Sequence, residues 1–207
     1  MKTKFCLLLI QLFVIVPMIQ AQSSDLNIQF AQELKEKCRD VNSIECGFIQ
    51  TRSASVLAHD ATKHGRYFFL MPYNVLLAFD DGDYIKITAT MFEIKQNGHI
   101  SSTKVSSNPM LKSLNRMLSA CISGDASQIT SGFNTEITAD DDEFILKLLP
   151  LRGRTGGKAS ETILVFNRKD MSLKLMKMTD ASGDSLQYQF FDVKYNTDFS
   201  PSIFDIK

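Results

Sequence analysis

Apolar side chains recur along this chain with three different spacings, and each spacing predicts a different kind of segment. From Phe5 to Ile19 they run almost unbroken, interrupted by Gln11 and Pro17, preceded by Lys2 and Lys4 and followed by the small residue Ala21. That layout predicts a secretory signal peptide over residues 1–21, cleaved just after Ala21. A membrane-spanning helix needs about 20 apolar residues in a row, and this run is shorter and gives way to polar Gln22, Ser23, Ser24 and Asp25. No cysteine directly follows the cleavage point, so no thiol is offered there for a lipid anchor. The expectation is an exported, soluble periplasmic protein in which residues 22–207 form a single domain.

The second spacing is helical. Phe30, Leu34, Cys38 and Val41 lie on one stripe while Gln32, Glu33, Lys35, Glu36 and Arg39 point elsewhere, which predicts an amphipathic helix from Asp25, its N-cap, to about Val41.

The third spacing is alternation. Phe48, Gln50 and Arg52 share one face of a strand, and a second strand runs from Gly65 to Met71, where Pro72 ends its ladder. Val75, Leu77 and Phe79 make the next, Asp81-Gly82 turns the chain, and Ile85 and Ile87 return. Phe92 and Ile94 follow, up to the turn Asn97-Gly98. Residues 101–107 are small, polar and unpatterned, which predicts a loop. A second helix is predicted after Asn108 and Pro109, with Leu111, Leu114, Met117, Leu118 and Cys121 as its stripe and Gly124 as its stop.

Strands then resume over about 128–138, 144–149, 161–167, 173–178 and 186–195. In the last, Leu186, Tyr188 and Phe190 share one parity and Phe191, Val193 and Tyr195 the other, which predicts a β-bulge or sharp bend. About ten strands offer more sheet surface than two short helices cover from outside. The fold class expected is therefore mostly β (α+β): a strongly curved antiparallel sheet forming an incomplete β-barrel, with an N-terminal helix and an inserted lid helix over a hydrophobic cavity.

Composition narrows the function classes. The 23 basic and 23 acidic residues cancel, which argues against nucleic acid as a partner, since that needs a clustered basic excess. His59 and His64 are five positions apart and fall on opposite faces of a strand, so no metal site is expected there. The sequence has no G-x-S-x-G, H-E-x-x-H or C-x-x-C pattern. The stretch from Arg152 to Lys158 lacks the spacing of a phosphate-binding loop and reads as a hairpin tip, whose Arg152, Arg154 and Lys158 could touch acidic groups. Asp140 to Glu143 read as a solvated turn rather than a calcium loop. No cofactor is expected and no residue supports an enzyme.

Cys38, Cys46 and Cys121 follow the signal. A Cys38–Cys46 bridge would close a short loop worth about 2.5 kcal/mol, but neither spacing nor count demands it, and small buried thiols are the favoured alternative. Methionines such as Met171, Met176 and Met178, together with the aromatic residues, could form a cavity that re-packs around a flexible ligand.

Taken in order, Phe48-Ile49-Gln50, Gly65, Tyr67, Phe69, Pro72, Asp81-Gly82, Leu164-Val165-Phe166, Asp180, Gly183-Asp184, Tyr188 and Phe190 resemble the LolA family of periplasmic lipoprotein carriers. The resemblance covers nearly the whole mature chain. It implies an open barrel, closed by helices, that shields lipoprotein acyl chains between an inner-membrane transporter and an outer-membrane acceptor. Met71 departs from the pattern, standing where well-known members have an arginine that holds the lid shut. The lipid-binding cavity expected on this reading is lined by Phe48, Tyr67, Phe69, Leu77, Phe79, Ile85, Ile87 and Phe92, with Leu114, Met117 and Leu118 on the lid, in a monomer. The alternatives are a periplasmic sensor or regulatory module, or a carrier of another hydrophobic ligand on the same fold.

Overall fold

Alternation governs most of the chain, and the result is one large sheet. The structure is a computed structural model that describes residues 18–107, 120–151 and 159–205. An N-terminal helix α1 (Met18–Cys38) is followed by six strands: β1 (Ser43–Ser53), β2 (Ala61–Leu70), β3 (Asn74–Phe79), β4 (Tyr84–Ile87), β5 (Met91–Gln96) and β6 (His99–Lys104). A short helix α2 (Ala126–Thr130) precedes β7 (Phe133–Ala139), β8 (Glu143–Pro150), β9 (Ala159–Asn167), β10 (Leu173–Asp180) and β11 (Ser185–Tyr195).

The eleven strands run in the order β6-β5-β4-β3-β2-β1-β11-β10-β9-β8-β7, with antiparallel neighbours. Two meanders thus meet where β1 pairs with β11, and the outer strands β6 and β7 do not pair with each other. Phe79 and Phe48 from one half share a single core with Phe144 and Phe166 from the other, together with Phe30 and Leu34 of α1. A sheet that brings its two halves onto one helix is curved, and its unpaired edges leave the barrel incomplete.

The predicted bulge is present. Glu45 pairs with Lys194 and Gly47 with Phe191, so β11 carries one extra residue, and Asp192 there has φ 53°. The extra residue reverses parity, so Leu186 and Phe190 before it and Val193 and Tyr195 after it all pack on the concave core. The outer face has its own small cluster. Leu76 and Tyr84 are covered there by Phe204 of the C-terminal turn Pro201–Phe204.

Several boundaries differ from expectation. Helix α1 begins at Met18, so Asp25 lies inside it and caps nothing. Residues 101–107 are not a loop: Asn97 and Gly98 both take positive φ, 52° and 79°, and this tight turn folds His99–Lys104 back onto β5 as an exposed edge strand. Backbone pairing to β5 organises a segment whose side chains show no pattern. The strand expected from residue 128 starts at Phe133, because the Asp125 carboxylate accepts hydrogen bonds from Ser127 Oγ and Gln128 Nε2, 2.6 Å each, and caps α2 instead. Residues 120–123 are helical and Gly124, at φ +74°, ends them as expected. The rest of the inserted helix, including Leu114, Met117 and Leu118, lies outside the described residues, as does the 152–158 loop.

Candidate functional site

The concave wall is built from rows of cross-strand partners. Tyr67 pairs with Leu77, which pairs with Ile85, and Phe69 leads through Val75 and Ile87 to Phe92. Of the residues expected to line the cavity, Phe48, Tyr67, Phe69, Leu77, Phe79 and Ile87 are buried in the concave core, and Ile85 and Phe92 pack against it half-buried.

Gly65 makes this packing possible. It lies opposite both Phe48 and Phe79 in the ladders, and a Cβ there would meet Phe48 Cζ at 2.8 Å and the Ala78 carbonyl oxygen at 2.2 Å. With no side chain in the way, the two rings meet edge to face, 5.2 Å between centroids. Gln50, two residues along β1 from Phe48, donates from Nε2 to the buried Tyr188 hydroxyl at 2.6 Å. The F-x-Q triplet and the Tyr188 and Phe190 pair are therefore direct partners across β1 and β11.

Helix α1 roofs the β7–β9 half. Phe30 and Leu34 are fully buried, and Phe30 meets Phe144 and Phe166 edge-on at 5.5 and 5.2 Å. Met71 takes no part in the roof. It is exposed at the turn between β2 and β3, its N–H donating to the Asn42 carbonyl.

Two cavities flank this roof. At the C-terminal end of α1 a space of about 50 Å³ is lined by Cys38, Cys46, Tyr67, Cys121, Met171, Phe190 and Tyr195, among others. Beside the middle of α1 a cleft of about 400 Å³ lies between Asn27, Phe30 and Ala31 of α1, Ala126, Ser127 and Thr130 of α2, and Phe133, Thr135 and Ile137 of β7. The buried Thr135 hydroxyl on this wall has no hydrogen-bond partner among the described residues. Drug-sized ligand pockets begin at about 300 Å³, so the cleft is in that range and the smaller space far below it. Tyr67 alone of the described expected lining borders one of these two spaces. The others fill the hollow against one another.

Among the described residues, no charged side chain lines either space. Burial pushes the Cys38 thiol up to about 11 and those of Cys46 and Cys121 up to about 12, and it raises Tyr67 and Tyr195 as well. All five are neutral at pH 7. Charge is kept elsewhere, as in Lys63 with Asp81 and Asp83 at 2.8 and 2.7 Å, and Lys86 with Glu93 at 2.9 Å. A neutral, mostly apolar lining holds no activated nucleophile or general base; it can accept hydrocarbon. The N-terminal helix was expected over the cavity, but no residue of α1, β7 or β11 was among the expected lining, although the helical stripe at Phe30 and the parity change near Phe191 were signals for α1 and β11.

A family model described as "Outer membrane lipoprotein carrier protein LolA" matches residues 39–207. No curated protein sequence matches the chain. Among solved structures, an uncharacterized conserved protein from Thermus thermophilus superposes with a TM-score of 0.50 at 8% identity, covering 87% of this chain and 93% of that one; this likeness is one of fold. A putative outer membrane lipoprotein-sorting protein domain from Vibrio parahaemolyticus gives 0.46 at 14% identity, over 86% and 95%. The Pseudomonas aeruginosa MucA/MucB complex gives 0.42 at 13%, over 88% of this chain and 61% of that one.

Proposed function

The chain belongs to the LolA family of outer-membrane lipoprotein carriers, and from that premise we propose that it is a periplasmic carrier that shields lipoprotein acyl chains beneath α1. In this reading residues 1–21 are the cleaved signal, residues 22–207 are the single lipid-binding domain, and the protein acts by binding rather than catalysis. Its partners are acylated lipoproteins, an inner-membrane transporter that loads it and an outer-membrane acceptor that unloads it.

The observation that carries the reading is the neutral cleft of about 400 Å³ beside a roof held to its wall by aromatic edges. Burying one acyl chain of about fourteen methylenes contributes about 11 kcal/mol at about 0.8 per CH₂. Lifting Phe30 and Leu34 out of the core to admit it costs about 3–6 kcal/mol, at about 1.5–3 for each side chain. The difference, about 5–8 kcal/mol, is enough to hold a tail yet small enough for an acceptor to overcome. The concave rows on β2–β5 are the further wall into which the tail extends once the roof lifts.

The test is native mass spectrometry of the protein taken from its own periplasm, with uptake of a fluorescent fatty acyl probe by the purified protein. An acylated passenger is expected, with probe binding lost in Leu77→Glu or Phe79→Glu while circular dichroism stays β-rich. A protein that carries no lipid and whose two variants take up probe like the wild type is not this carrier.

A further inference from the structure

The three cysteines that follow the proposed signal come from three separate places in the chain, α1, β1 and the helical residues 120–123, yet all border the same small space. All three are free thiols in the structure. The Cys38 thiol donates to the Cys121 carbonyl at 3.6 Å. The chain just beyond Cys121 is pressed against the same turn of α1, for a Cβ on Gly124 would lie 3.1 Å from Cys38 Cβ and 2.8 Å from Lys35 Cα. Cys46 is placed differently, on β1, which is paired on both sides by β2 and β11 and cannot shift toward a partner.

We propose that Cys38 and Cys121 are a disulfide-forming pair, and that their oxidation latches the C-terminal turn of α1 to the helical residues 120–123 and so locks the roof. The oxidant is a disulfide of the exported compartment. Cys38, the half-buried thiol of the three, attacks one sulfur of it, forming a mixed disulfide and releasing one thiol. Cys121 then attacks Cys38 Sγ, forming the protein disulfide and releasing the second thiol. Two electrons and two protons pass from the protein to the oxidant, which is reduced to two thiols.

Both segments end at this point, Cys38 being the last residue of α1 and Gly124 the stop of helical residues 120–123. Their Cα atoms can therefore close to the roughly 6 Å that a disulfide needs without breaking a sheet ladder. Protonation of the buried thiols makes the exchange slow while the roof is shut, since the thiolate is the attacking form. The latch's effect on cargo rests on the carrier reading, but formation of the bond does not.

The experiment uses the protein purified from the periplasm, reduced, and then incubated with oxidised glutathione, with peptide mapping under non-reducing conditions. The expected product is a Cys38–Cys121 cross-link that also forms in Cys46→Ala and is absent in Cys121→Ser. Amide exchange across α1 and residues 120–123 slows at least tenfold on oxidation, and dithiothreitol reverses it. This readout needs no ligand, so it tests the latch even where the carrier reading fails. With the fatty acyl probe, oxidation slows uptake at least tenfold in the wild type and leaves Cys121→Ser unchanged. A Cys38–Cys46 or Cys46–Cys121 bond, persistent mixed disulfides with glutathione only, or a Cys38–Cys121 bond that leaves amide exchange unaltered would each overturn the proposal.

Discussion

The ring of Phe30 on α1 stands edge-on to Phe166 on β9, with centroids 5.2 Å apart and planes inclined at 64°. Phe144 receives the same ring from a second direction at 5.5 Å. One side chain therefore fastens the roof to two neighbouring strands of the wall, and it also borders the larger cleft.

Phe30→Ala removes that fastening. A loss of about 3–5 kcal/mol is expected, as for other large-to-small changes at fully buried aromatic sites, seen as a lower denaturant midpoint. Uptake of the fatty acyl probe should become faster in stopped-flow fluorescence, because the roof lifts with less opposition. An uptake rate equal to wild type in a clearly destabilised variant would show that α1 is not the gate.

Gly65→Ala places a methyl against the Ala78 carbonyl oxygen and the Phe48 ring. The oxygen belongs to a ladder partner on β3 and cannot swing aside as a side-chain tip can. Destabilisation of about 1–3 kcal/mol is expected, the usual range for overpacking. Urea titration should show a lower midpoint at unchanged slope.

Tyr188→Phe leaves the Gln50 amide without its partner at 2.6 Å. A cost of about 1 kcal/mol is expected. Gln50→Leu combined with Tyr188→Phe should recover most of it, since removing both polar partners is nearly neutral where removing one is not. Additive losses in the double variant would mean that the pair contributes through packing alone.

The three thiols make stability fall in alkali. Their folded values, about 11 for Cys38 and about 12 for Cys46 and Cys121, stand above the ordinary 9.0. The unfolded chain therefore gives up these protons first, so the contribution is whole below about pH 9 and is lost as pH rises through 11 to 12. Under reducing conditions the melting temperature should be flat toward pH 9 and then drop, and Cys46→Ala should drop less steeply. Superimposable curves for the two proteins would contradict the burial assigned to Cys46.

Much of the fold is written in local pattern. Alternation placed the strands from Val75 to Ile94 close to their observed bounds, whereas β1 and β2 begin earlier than expected, at Ser43 and Ala61, and the mismatch of Phe190 with Val193 announced the bulge that Asp192 supplies. Where pattern was weak, other forces decided. His99–Lys104 is a strand because a tight turn delivers its backbone to β5, although its side chains alternate in nothing. Asp125 starts a helix because a carboxylate can cap it, an event confined to three side chains and easily overlooked within a strand-like stretch.

By itself the sequence determined which faces are apolar, since period and side-chain chemistry are local properties of the chain. It marked Phe48, Tyr67, Phe69, Leu77 and Phe79 as one inward set, and all are buried together. Only the tertiary structure decided where room is left between those faces. The marked residues pack against each other, while the cleft opens between α1, α2 and β7, and three cysteines as far apart as positions 38, 46 and 121 border one small space. Open space and convergence depend on how distant segments are brought together by the curvature of the whole sheet, and no window of neighbouring residues contains that information.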